Sequence, residues 1–335
     1  MSQITLTGIK PTGTPHLGNY LGAIAPAIQM MTKSNPQEKF LYFIADYHSL
    51  TSTKETGLIK KYTYDVAATW LACGLDPNRA IFYRQSDIPE IMELSWILSC
   101  FIPKGDLNRA HAYKAAVQQN QELGRDDLDQ GINAGLFFYP VLMGADIMLF
   151  DATAVPVGQD QRQHVEMARS IAQRLNQFYG KKVLVEPAEK ISENVATVVG
   201  LDGRKMSKSY DNTIPIFVDE AKLKKLINKI KTDSSGPTEP KDPNDSAIFN
   251  LYKAFANDER KVAEMKTRFQ SGISWGEAKE ALFQCIHQEI APLREKYDYF
   301  LAHPQEIDEV LALGAEKARV MAQQTLERVK SFVLG

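Results

Sequence analysis

A chain of 335 residues with 44% hydrophobic and 24% charged side chains is ordinary for a globular protein, long enough for one large α/β unit and a smaller helical one. Its net charge of −2 excludes a global electrostatic pull on nucleic acid, so any RNA contact has to come from a local basic patch. Cys73, Cys100 and Cys285, far apart, in apolar contexts and without a Cys-x-x-Cys pair, read as buried free thiols and exclude a disulfide framework or thiolate metal centre; no 18-residue apolar run is present to cross a membrane.

The chain opens on the strand-like Ile4-Thr5-Leu6-Thr7-Gly8-Ile9 with no basic-then-apolar leader before it, which predicts a cytoplasmic protein. Short apolar strands over 4–9, 40–46, 80–85 and 154–157 alternate with helical stretches over 17–32, 55–73, 88–101 and 160–178. That alternation predicts an α/β fold, a doubly wound parallel sheet with helices on both faces and ligands at the carboxyl ends of the strands. Ser52-Thr53-Lys54-Glu55 reads as a capping box for the second helix, and Ser274-Trp275-Gly276-Glu277 as another. The polar stretch 117–131 lacks an apolar stripe and reads as a surface loop or a short helical excursion. From about 218 the strand signals stop, and helices are predicted over 219–231, 245–257, 259–271, 276–300 and 304–331, with a Pro- and Gly-rich break at 234–245.

Two segments carry phosphate chemistry. Gly8-Ile9-Lys10-Pro11-Thr12-Gly13-Thr14-Pro15-His16-Leu17-Gly18-Asn19-Tyr20 joins the first strand to a helix, where backbone amides and the helix dipole hold anions. Gly18 admits a nucleotide close to the backbone, His16 is a donor for a phosphate oxygen, and Asn19 doubles as a helix cap. About 190 residues later, Lys205-Met206-Ser207-Lys208-Ser209 supplies two mobile cations, hydroxyl and amide donors and a flexible Met, a device for closing over a triphosphate. A third segment sets side chains for a smaller ligand: Tyr139, Met143 and Asp146 share one helical face, while Val155 and Val157 share one strand face and wall an apolar pocket. Asp146 has no basic neighbour in sequence, and a buried carboxylate needs a strong donor, which an indole N–H provides. Gly158 allows close approach, and Asp160 is an N-cap, a ribose acceptor or both.

The order of the HLGN turn and KMSKS loop resembles the signature of class I aminoacyl-tRNA synthetases. Across nearly its full length, through GIKPTGTPHLGNY, YPVLMGADIMLFDATAVPVGQDQRQHVEMAR, KMSKS, Thr232-Asp233-Ser234 and Gly314-Ala315-Glu316-Lys317-Ala318, the chain resembles the bacterial tryptophanyl-tRNA synthetase family. The resemblance implies a Rossmann-like catalytic domain over 1–195, the KMSKS loop at 196–215 and an all-helical anticodon-binding domain over 216–335, part of whose last helix packs back on the first. It implies ATP with Mg²⁺, L-tryptophan and its tRNA as ligands, and a homodimer, for which the apolar helix with Trp96 is a candidate interface. It implies ATP contacts from Lys10, Pro11, Thr12, His16, Gly18, Asn19, Gly158, Gln159, Asp160, Val195 and Lys205 to Ser209, with Lys205, Lys208 and His16 catalytic. Tryptophan contacts are implied for Leu6, Gly8, His48, Tyr139, Met143, Asp146, Val155, Val157 and Gln161, with Tyr139 and Gln161 on the α-amino group. Met143 favours tryptophan, since the sister tyrosine family usually has Gln there. Two departures stand out: Lys10 replaces the family's usual Gln, and the loop after Lys114 is longer than usual, leaving Lys114 as the candidate for pyrophosphate contact on that side. Lysines 222, 224, 225, 229 and 231 form either a solvated helix face or an RNA-phosphate contact, and Arg319 and Arg328 fall by resemblance in the anticodon-reading region.

Overall fold

The structure is a computed structural model that describes residues 3–158, 161–191, 198–256 and 258–335. Five parallel strands form one sheet: β1 (Ile4–Ile9), β2 (Lys39–Ile44), β3 (Ala80–Arg84), β4 (Ala154–Val157) and β5 (Ala188–Ile191), in the order β3-β2-β1-β4-β5. The chain builds outward from β1 through β2 to β3, then returns to place β4 on the other side of β1. The seam between β1 and β4 is therefore the switch point where such sheets bind ligands.

Helices α1 (Leu17–Asn19) and α2 (Ala25–Lys33), joined by a π-helical segment Tyr20–Ile24, follow β1. Then come α3 (Asp46–Ser49) and α4 (Thr56–Ala72) after β2, and a 3-10 turn Gln85–Asp87 with α5 (Glu90–Ser99) after β3. The crossover to β4 carries α6 (Lys104–Leu107), α7 (His111–Glu122) and α8 (Ala134–Met148), and α9 (Arg162–Tyr179) leads to β5. The remainder is helical: α10 (Glu220–Asn228), α11 (Ala247–Phe255), α12 (Glu259–Ser271), α13 (Trp275–Ala302) and α14 (Pro304–Val333).

Burial on both faces explains why β2 reads as a continuous apolar run. Phe40, Tyr42 and Ile44 enter one core with Trp70 of α4 and residues of α10 to α13; Leu41 and Phe43 enter the other with α5, α8 and α9. Helix α14 belongs to both cores, Ile307 and Leu311 to the first and Ala315, Ala318, Ala322, Leu326 and Val329 to the second. It covers the exposed edge of β3, and the crossing is close: a Cβ at Gly314 would overlap the Phe82 carbonyl. Two guanidiniums pin it there. Arg319 donates to Glu90 of α5 at 2.9 and 3.0 Å, and Arg328 donates to Asp151 at 2.6 Å and to the Val183 carbonyl at 2.9 Å. Both side chains are therefore engaged in holding α14 against the first half of the chain.

Several local expectations change. The capping box at Ser52–Glu55 does not form: Glu55 is itself the N-cap of α4 and makes no side-chain cap bond, while Ser52 donates back to the Ser49 carbonyl at 3.4 Å. The box at Ser274 and Glu277 does form. Helix α7 takes the first part of the polar stretch 117–131, and β5 was absent from the sequence reading because its four residues AEKI carry two charges and no usable alternation. The cysteines are free but none is fully buried, and Cys100 is exposed. No described helix is long and apolar enough to cross a membrane.

Candidate active site

A cavity of about 340 Å³ opens at the β1–β4 seam. Leu6 and Gly8 of β1, His48 of α3, Tyr139, Met143 and Asp146 of α8, Val155 and Val157 of β4, and Gln161 all line it, so the nine residues singled out for the amino acid meet in one place. The periodicities explain the convergence, since i, i+4 and i+7 share a helix face and i, i+2 a strand face. Thr7, Phe43, Thr51, Leu136 and His164 join the wall as well. His164 and the Tyr139 hydroxyl are hydrogen-bonded to each other.

Asp146 is 1% exposed at the cavity wall. It is not the unpartnered acid that the sequence suggested. His48 Nε2 lies 2.9 Å from Oδ2, and the Gln85 amide donates to Oδ1 at 2.8 Å and Oδ2 at 2.9 Å. Burial pushes the Asp146 pKa above the usual carboxylate value, and the His48 and Gln85 hydrogen bonds oppose that shift. Gln85 escaped the sequence reading although its position, directly after β3, is where such sheets place functional groups.

A second cavity of about 190 Å³ lies between the HLGN turn and the KMSKS loop, lined by Lys10, Thr12, Gly13, His16, Asn19, Ser207 and Lys208 among others. Lys10 lines both cavities and so marks their junction. Its ammonium donates to Thr51 Oγ1 at 2.9 Å, and burial lowers its pKa. His16 is 8% exposed, and its Nδ1 has no hydrogen-bond partner among the described residues, so a polar ligand is what would satisfy it. Burial, followed by the charge of Lys208, brings the His16 pKa down to about 4, which keeps the ring neutral at working pH. Gly18 is needed beside it, because a Cβ there would press on the imidazole.

Lys208 Nζ sits over the turn at Gly13. Burial lowers its pKa to about 8 against the opposing charge of Asp65, a buried carboxylate that accepts from Thr14 Oγ1 and the Tyr297 hydroxyl, each at 3.1 Å. Asn212, 2% exposed, underpins the loop: Oδ1 accepts from the Ser207 amide at 2.8 Å and Nδ2 donates to the Lys205 carbonyl at 3.1 Å. Met206 is not a flexible loop residue. Its side chain is 4% exposed and packs into the first core, which anchors the loop, and its amide donates to the Val198 carbonyl at 2.7 Å.

Pro11, Gly18, Lys205 and Ser209 lie outside the lining of this second cavity, as does Gly158, with Lys205 and Ser209 exposed at the loop surface. Gln159, Asp160 and Val195 lie outside the described residues. Lys114 is exposed on α7 and lines neither cavity. Lys222, Lys224, Lys225 and Lys229 are exposed, with Lys224 paired to Glu280 at 2.9 Å.

A pocket at the switch point of a parallel sheet, opening on a cationic groove between an HLGN turn and a KMSKS loop, is the architecture of a class I aminoacyl-tRNA synthetase. The chain belongs to the family described as tRNA synthetases class I (W and Y), whose model matches residues 2–290. It is 52% identical over 335 residues to a tryptophan–tRNA ligase of Pseudomonas aeruginosa, covering 99% of this chain and 74% of that one. It is also 52% identical to the tryptophan–tRNA ligase of Neisseria meningitidis serogroup A, over 98% of this chain and 96% of that one. A crystal structure of the Campylobacter jejuni tryptophanyl-tRNA synthetase, complexed with ADP and tryptophan, superposes with a TM-score of 0.86 at 42% identity over 99% of both chains.

Proposed function

We propose that this protein is a tryptophan–tRNA ligase. L-Tryptophan and ATP give tryptophanyl-adenylate and pyrophosphate, and the tryptophanyl group then passes to the 2′-hydroxyl of the terminal adenosine of its tRNA. The observation that carries this reading is the union of the two cavities at Lys10, with Asp146 in the apolar one and His16 and Lys208 in the cationic one.

The indole lies among Leu6, Val155, Val157 and Met143, whose thioether suits a flat polarizable ring. Its N–H donates to Asp146, and Tyr139 and Gln161 receive the α-amino group. The carboxylate is thereby aimed past Lys10, and one of its oxygens attacks the α-phosphorus as the bond to the bridging oxygen of pyrophosphate breaks. Neutral His16 donates a hydrogen bond to the phosphates as negative charge moves onto the leaving group, and Lys208 neutralises it. Lys205 joins from the loop rim when the segment closes. ATP is taken with Mg²⁺, which supplies further neutralisation on the triphosphate. The described residues lining the groove include no carboxylate to hold the ion, so it would enter with the triphosphate rather than on a protein site. Of the described residues, α5 presents Trp96 at 73% and Met92 at 46% exposure, an apolar face suited to a homodimer contact. The helical region from 216 onward is the tRNA-binding part, and the site of action is the cytoplasm.

An ATP–pyrophosphate exchange assay, run separately with tryptophan and tyrosine, tests the reading. Exchange with tryptophan alone is expected. Exchange with tyrosine alone would replace it with the sister activity, and absence of exchange with both would leave only a non-catalytic RNA-binding role.

A further inference from the structure

Gln85 is fully buried in the turn after β3, and among the described residues its side chain bonds only to His48 and Asp146, two residues that line the amino-acid pocket. Its Oε1 faces the His48 backbone amide at 3.4 Å, which fixes the amide group so that Nε2 points at Asp146. That one nitrogen bridges both carboxylate oxygens, at 2.8 and 2.9 Å. His48 Nε2 occupies Oδ2 as well. Among the described residues Oδ1 accepts from Gln85 alone, so its other lone pair is the one left for a ligand. Asp46 holds this arrangement together from behind: Oδ1 accepts from the Tyr47 and Ser86 amides, each at 3.0 Å, and Oδ2 from the Ser86 hydroxyl, which clasps the α3 turn to the Gln85 turn.

We infer that Gln85 is a specificity-determining positioning residue: it holds Asp146 ionised and turned so that Oδ1 is an acceptor only, the state that selects a ring N–H donor. The inference rests on the tryptophan reading of the pocket. The groups facing Asp146 are His48 from α3, Asp46 at its start, Gln85, and the Tyr83 hydroxyl from β3, which is buried without a partner among the described residues. Burial and the charge of Asp46 both favour a proton on Asp146, and only the His48 and Gln85 contacts oppose it. Removing the Gln85 donor therefore shifts Asp146 toward its neutral acid, a weaker acceptor whose own O–H competes for the site.

Two variants test this. Gln85→Glu keeps the shape and the acceptor facing His48 but sets a carboxyl against Asp146, so the pair must share a proton. Gln85→Met removes the donor without adding charge. In pyrophosphate exchange, each is expected to raise KM for tryptophan at least about tenfold at pH 7.5 while KM for ATP stays within about twofold, since the groove is untouched. KM for tryptophan should be nearly flat between pH 6.5 and 8.5 in the wild type and should fall with rising pH in Gln85→Met as Asp146 loses its proton. The wild-type preference for tryptophan over an analogue with sulfur in place of the ring N–H should shrink in both variants. A folded variant that keeps the wild-type KM, pH profile and analogue preference overturns the role of Gln85. Wild-type enzyme that shows no tryptophan-dependent exchange, or no preference for the N–H, overturns the reading of the pocket instead.

Discussion

Lys208 offers the sharpest test of the nucleotide groove, because its charge is both needed and weakened there. Burial brings its pKa from 10.5 to about 8, with Asp65 limiting the fall. A group with that value is about nine-tenths charged at pH 7 and about one-tenth charged at pH 9, so roughly tenfold of the charged form is lost over two pH units. Bound triphosphate restores the proton. The loss should therefore appear in kcat/KM for ATP, which reports the free enzyme, and move to higher pH in kcat. Pyrophosphate exchange from pH 6.5 to 9.5 with saturating tryptophan measures both. Lys208→Arg keeps a permanent cation and should abolish the alkaline fall, at a lower rate because a guanidinium does not match the ammonium's position. Lys208→Ala should lower the rate about tenfold to a hundredfold and leave the profile flat. An alkaline fall that survives in Lys208→Arg but disappears in Lys10→Arg would assign the titration to the junction lysine and refute the reasoning for Lys208.

The junction residue makes a related prediction: Lys10→Gln should raise KM for ATP or tryptophan severalfold, and unchanged kinetics for both would remove Lys10 from the site. Gly314→Ala forces a Cβ onto the Phe82 carbonyl, a backbone atom that cannot rotate away, and should cost about 1–3 kcal/mol or more, read as a lowered denaturation midpoint. Arg319→Ala should lower the melting temperature in a pH-dependent way. Burial tends to raise the Glu90 pKa, but Arg319 holds it below the ordinary 4.5, so the pair's contribution is complete above that value and lost as pH falls through the lower folded one. The variant and wild type should therefore converge in thermal melts near pH 3 and separate above pH 5.

What could be read from the sequence was what local periodicity encodes. Tyr139, Met143 and Asp146 had to share a face if 134–148 was a helix, and Val155 with Val157, or Leu6 with Gly8, had to point the same way if their segments were strands. The parallel order followed from the alternation of strands with helices. The rest depends on contacts between segments far apart in sequence. Nothing near residue 146 announces that Gln85, 61 positions earlier, will clamp it, and Met206 looks like a loop residue until the core under the HLGN turn is seen to receive it. Arg319 and Arg328 show the same dependence on distant partners, since their guanidiniums meet Glu90 and Asp151, 229 and 177 positions earlier.

The two cavities are joined by covalent continuity as much as by packing. Residues 6 to 16 leave β1 as pocket wall at Leu6 and Gly8, pass through Lys10 at the junction, and end as groove wall at Thr12, Gly13 and His16. Attacking carboxylate and α-phosphate are thus referred to one short stretch of backbone. That stretch is fixed at three points: parallel pairing of β1 with β2, the Ser49 hydroxyl on the Pro11 carbonyl at 3.2 Å, and Thr14 on Asp65. Rigid placement of both reactants on one element is what an in-line displacement requires, because a shift of about 1 Å between them is enough to lose about a hundredfold in rate. The KMSKS loop forms the opposite wall, tethered below by Met206 and Asn212, so the charge that meets the leaving group is carried on a different element from the one that aligns the attacking group.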